Sequence, residues 1–190
     1  MRKGRLWALF IMVPFVIPDT SIAGSGPGTE FIAVLDGESQ IPGRQTPATG
    51  KAMFKLDDTE RKMKYKLTVT DIENVVAAHI HVGKPGESGP IVVTLAGPFP
   101  PGKGRKDGLL SEGTFEVSDL VGPLIALPRG SQHQEDDDLL LAELLAVMQN
   151  GDAYVSIHTD LGWDSSQIRP GNFPEGEIRG QIRTARDQNF

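Results

Sequence analysis

The feature that most constrains this chain is the alternation in Lys62 to Thr70, KMKYKLTVT. Met63, Tyr65, Leu67 and Val69 fall on one side, with lysines and threonines on the other. Side chains of a strand point to opposite faces in turn, so a period of two predicts a strand with one buried and one solvated face. Such one-sided strands pair antiparallel. The same alternation recurs in Phe31, Ala33 and Leu35, in Ala52, Phe54 and Leu56, and in Leu110 to Val117. With Ala78 to Val82, Ile91 to Leu95, Ala153 to Thr159 and Gly176 to Arg183, the count reaches about eight strands separated by Gly/Pro turns. The expected fold is all-β: an antiparallel Greek-key β-sandwich or partly closed barrel with one short helix.

That helix is expected over Leu139 to Met148. The charged run Gln134 to Asp138 introduces it and Asn150-Gly151 stops it. The triplet Asp136 to Asp138 lacks the spacing and the glycine of a calcium loop, so it reads as a helix start. Ala96 to Lys106 has no periodicity and reads as a long exposed loop. The prolines among Val121 to Leu127 break regular structure there.

The chain opens with Arg2, Lys3 and Arg5, an apolar run from Leu6 to Ile17, and Ser21-Ile22-Ala23. These three parts predict a signal peptide over 1–23, and the run is too short to span a membrane. Residues 24–190 then form one domain, opened by a flexible Gly24 to Gly28 lead. The protein is expected to be secreted or periplasmic, with no stable membrane anchor after cleavage. The net charge is -6 and no basic stripe is visible in the sequence, which argues against nucleic acid as a partner. An extracytoplasmic protein or ligand is the expected partner. The chain has no cysteine, which excludes disulfides, thiolate metal sites, a cysteine nucleophile and a lipid anchor on cysteine.

Chemistry concentrates in Ala78 to Pro90, AHIHVGKPGESGP. His79 and His81 share one face of a strand, about 7 Å apart along it, and Ala78, Ile80 and Val82 share the other. In AYVSIHT, Val155 and Ile157 alternate against Tyr154, Ser156 and His158. In GEIRGQIR, Ile178 and Ile182 alternate against Glu177, Arg179 and Gln181. The candidate site is therefore His79, His81 and His158, with Arg179 as an anion-facing or site-supporting group. Three neutral imidazoles with an open fourth position suit copper or zinc. The alternative is structural, with the histidines bonded to loop backbone and to Glu177 or Asp160. His133, alone in a loop, is given no role. No G-x-S-x-G elbow is present, and Ser156 on a strand lacks the sharp turn a nucleophile needs.

Three segments in this order, GKAMFKL, AHIHVGKPGESGPIVVTL, and AYVSIHT with PEGEIRGQI, resemble a CHRD domain, the module named after the developmental protein chordin. With the first strand the resemblance covers Glu30 to Ile182. It implies an exported binding or structural module. A second likeness is more distant: H-x-H-x-x-G, then V-x-I-H, then G-x-x-R-G is similar to the copper half of copper,zinc superoxide dismutases. That likeness implies His79, His81 and His158 as copper ligands, Arg179 facing an anion, and a copper-dependent redox protein as the alternative function. The bridging histidine, the zinc cluster and both cysteines of those enzymes have no counterpart here.

Overall fold

The computed structural model describes residues 30–57, 62–122, 134–163 and 166–187, with 134–138 and 187 described by their backbone. The expected signal peptide and His133 lie outside the described residues.

The alternating segments become strands β1 (Glu30–Leu35), β2 (Thr49–Asp57), β3 (Lys62–Glu73), β4 (Val75–Val82), β5 (Ile91–Ala96), β6 (Arg105–Phe115), β7 (Ala153–Thr159), β8 (Ile178–Gln181) and β9 (Arg183–Thr184). They form two antiparallel sheets, ordered β6-β3-β2-β1-β9 and β5-β4-β7-β8. β1 to β3 are a meander. The chain then crosses to the second sheet through a single residue, Asn74, at φ 54. After the β4–β5 pair it returns, placing β6 beside β3 and later β7 beside β4. These returns are Greek-key connections.

The two sheets meet differently at their two edges. Asp36 and Arg179 exchange backbone bonds of 3.1 and 2.9 Å, and the last strand passes from one sheet into the other at Ile182. At the opposite edge the hydroxyls of Tyr65 and Ser111 both donate to the Leu95 carbonyl at 2.7 Å, and Val121 N, in the segment that follows β6, donates to the Val92 carbonyl of β5 at 2.8 Å. One edge is thus joined by strand backbone and the other by hydroxyls and a loop amide.

Between the sheets lie Phe31, Leu35, Leu67, Ile80, Ile157 and Ile178, each at most 1% exposed. Burying an aliphatic or aromatic side chain of this size stabilises by about 1.5–3 kcal/mol, which supplies the cohesion a cysteine-free chain needs. The helix α1 (Gln134–Gln149) begins earlier than the leucine-rich stretch suggested and takes in the acidic triplet as its first turns. It buries Leu144 and Met148, and Gly151 at φ 73 ends it, bonding back to Met148. β6 likewise starts at Arg105, so the loop after β5 is shorter than expected.

Two further expectations need correction. The outer face of β7 and β8 is not solvated: Tyr154, Ser156 and Arg179, with Glu177 just before β8, are all under 5% exposed, beneath loops 36–48, 83–90 and 160–177. And the register gathers a basic stripe that composition conceals. Lys51, Lys55, Lys62, Lys64 and Lys66 stand together on the outer face of the other sheet.

Candidate metal centre

β4 and β7 pair so that Ala77 faces His158 and His79 faces Ser156. All three histidines therefore lie on the outer face of two adjacent strands. The rings converge, with centroids 5.2 Å apart for His79 and His158, and 5.9 Å for each of the other two pairs. One ring nitrogen from each lies within 4.8 Å of the others.

The loops orient two of the rings. His81 Nδ1 bonds the Gly89 carbonyl at 2.9 Å, and His158 Nδ1 bonds the Pro174 carbonyl at 2.8 Å. A carbonyl only accepts, so each Nδ1 carries the proton and each Nε2 keeps a lone pair. Those two Nε2 atoms and His79 Nδ1 are buried and have no hydrogen-bond partner. Neither Glu177 nor Asp160 bonds a histidine among the described contacts, so loop carbonyls alone carry the bonding half of the structural reading.

Electrostatics keep the rings neutral. His79 is pushed down to about 4, first by burial and then by repulsion from His158 and His81. Burial also lowers His81, against the raising effect of its Gly89 bond, with His158 and Arg179 repelling it further. Burial lowers His158, opposed by the Pro174 bond and by Glu175. Depressed pKa values leave lone pairs free at neutral pH.

The donors fit a small cation. Zn–N bonds of about 2.0–2.1 Å put tetrahedral nitrogens about 3.4 Å apart, so pairs within 4.8 Å close by at most about 1.4 Å. Burying a polar atom without a partner costs about 1–3 kcal/mol. Three such atoms in one histidine cluster have no hydrogen-bond partner among the described residues.

Arg179 is 2% exposed and takes part in none of the ion pairs among the described residues. Its guanidinium lies over the Tyr154 ring and donates to the Lys84 carbonyl at 3.1 Å, and burial lowers its pKa. Tyr154 in turn stacks on His81 at 4.9 Å and accepts from Gly89 N at 3.1 Å. Gln181 completes this support by donating to the carbonyls of Gly83 and Gly151 at 2.7 and 2.6 Å. β7 and β8 thus hold the loop whose Gly89 carbonyl orients His81.

Sequence reasoning missed the equivalent device under His158. The fully buried Glu177 accepts from Thr46 Oγ1 at 2.5 Å, Thr159 Oγ1 at 2.7 Å and Gly171 N at 2.9 Å. It clasps the loop that presents Pro174. Asn74 fastens two loops at once, donating to Gly171 O and accepting from Gly104 N. The one visible signal was a glutamate, Glu177, on the same side of the alternation as Arg179 and immediately before β8. Its partners come from loops far away in the chain.

These observations define a cysteine-free Greek-key β-sandwich with a cluster of three buried histidine nitrogens on one outer face. Residues 31–182 match the CHRD domain, and the chain belongs to that family. No curated protein and no solved structure matches it. Among the described residues no helix is long and apolar enough to cross a membrane.

Proposed function

We propose that this CHRD-domain protein is an exported binding or structural module in which His79, His81 and His158 hold one metal ion. The observation that carries the reading is the set of three unpartnered ring nitrogens, two of them aimed by loop carbonyls. Neutral imidazole suits copper and zinc, and the absence of carboxylate or thiolate from the cluster disfavours calcium and magnesium. Arg179 acts here as a supporting group, through Tyr154 and Lys84. Bound metal would join two loop systems to the sheet, stiffening the face that an extracytoplasmic partner meets.

The test is metal content of protein purified without chelator, followed by titration with Cu(II) and Zn(II), beside the His79→Ala/His81→Ala double variant. One metal per chain in the wild type and none in the variant supports the site. Binding absent from both, with a folded variant, leaves the histidines structural. The copper-dependent redox alternative is tested on the copper-loaded protein by a superoxide dismutation assay.

A further inference from the structure

The opposite side of the sandwich carries a second surface, unconnected with the histidines. On the outer face of the β6-β3-β2-β1-β9 sheet, cross-strand rows run Arg183–Ile32–Met53–Lys66–Glu112, Val34–Lys51–Thr68 and Glu30–Lys55–Lys64. Lys62 and Asp57 extend it. Six basic residues stand there against four acidic ones, Glu30, Asp57, Glu112 and Glu116, on a chain whose net charge is -6.

Lys55 pairs with Glu30 at 2.8 Å, Lys64 with Asp57 at 2.8 Å, and Lys62 with Glu116 at 3.9 Å. Lys51, Lys66 and Arg183 enter none of the described ion pairs. These free cations surround an apolar centre. Val34 is 49% and Met53 42% exposed, and Ile32 is half-buried between them. A cavity of about 370 Å³, lined in part by Ile32, Met53, Lys55, Lys64 and Lys66, opens beside this centre.

We propose that this face docks on an anionic lipid surface. Lysine and arginine stems reach outward and place their charge among lipid phosphates, while aliphatic side chains enter the interface between them. Charge complementarity favours a negatively charged partner, and the residue types select among such partners. No aromatic ring lies on this outer face among the described residues: Phe31, Phe54, Tyr65 and Phe115 all belong to the inward-facing positions. Single-stranded nucleic acid is ordinarily held by stacking bases on aromatic side chains, which this face does not offer. Aliphatic groups ringed by lysines suit lipid instead.

The test uses protein recovered from an exporting host and vesicles of phosphatidylglycerol mixed with phosphatidylcholine, or of phosphatidylcholine alone. Expected is co-sedimentation with the anionic vesicles, weakening as salt rises, and none with the neutral ones. Each basic residue near such a surface contributes roughly fivefold in affinity, so Lys51→Ser/Lys66→Ser lowers binding by about 25-fold with unchanged circular dichroism. Met53→Ser lowers it at constant charge. Any N-terminal leader still attached contributes equally to wild type and variants. Equal binding to both vesicle types, binding unaffected by these substitutions, or binding to dextran sulfate with none to vesicles overturns the proposal.

Discussion

The Arg179 guanidinium carbon lies 3.4 Å from the centre of the Tyr154 ring, and that ring stacks on His81 within 8° of parallel. A buried cation is thereby supported by an aromatic face, the Lys84 carbonyl and the Gln181 side-chain amide oxygen, with no carboxylate in an ion pair with it among the described residues. Tyr154→Ala removes that support and opens a cavity, so a loss of about 3–5 kcal/mol is expected in urea unfolding. Tyr154→Phe keeps the stack and forfeits only the Gly89 N bond, for a loss of about 1–3 kcal/mol. Equal losses for the two variants would remove the ring from this account.

Glu177 tests whether the loop over His158 is held by its carboxylate. Glu177→Gln places amide hydrogens against donors, and a loss of about 2–4 kcal/mol is expected. Proton exchange at the Gly171 amide, bonded at 2.9 Å, should accelerate more than exchange at the central β2 amides. Uniform acceleration would mean that the carboxylate supports the whole fold.

Gly89 stands where a side chain would meet the Val82 carbonyl, and its own carbonyl orients His81. Gly89→Ala must shift that loop. Metal affinity is expected to fall about tenfold or more, measured by competition with a chromophoric chelator, with smaller effects at Gly86, where a side chain meets open space. Because Gly86 has φ 83, its alanine variant reports backbone strain without the clash.

In chelator-treated protein, acid should destabilise through the histidines. His79 lies near about 4 when folded and ordinarily near 6.5, so between these values the unfolded chain binds the additional proton. The stability is fully present above 6.5 and is lost as pH falls towards about 4, with His81 and His158 acting in the same direction. Urea midpoints for wild type and His79→Ala should converge across that window, the wild type showing the steeper decline. Parallel curves would contradict the burial of His79.

Metal should stabilise as a ligand of the native state. At a free concentration of about 100 times Kd the gain is about 2.7 kcal/mol, and it should vanish in His158→Ala. An unchanged melting temperature in the wild type under those conditions would refute the site.

The strands were legible because each follows period two, and the face carrying His79, His81, His158 and Arg179 follows from the same rule. The helix core was legible from its leucines, and the acidic run before it reads as the helix start, although the helix takes that run in as its first turns. Bulges in the β3–β6 pairing and the exposed pattern of β6 hid that strand's first half. What alternation could not convey was that loops bury the outer face.

From its own residues the chain determined an all-β sandwich, the side of each strand that enters the core, and the absence of disulfides, because these depend on local periodicity and composition. Tertiary structure alone decided that three imidazoles from two strands bring one ring nitrogen each within 4.8 Å of the others. It also decided that Pro174 and Gly89 orient two of them, that Glu177 closes on Thr46, and that scattered lysines become one face. Each of these joins groups distant in the chain, and pairing register and loop closure, which no local pattern encodes, set their distances.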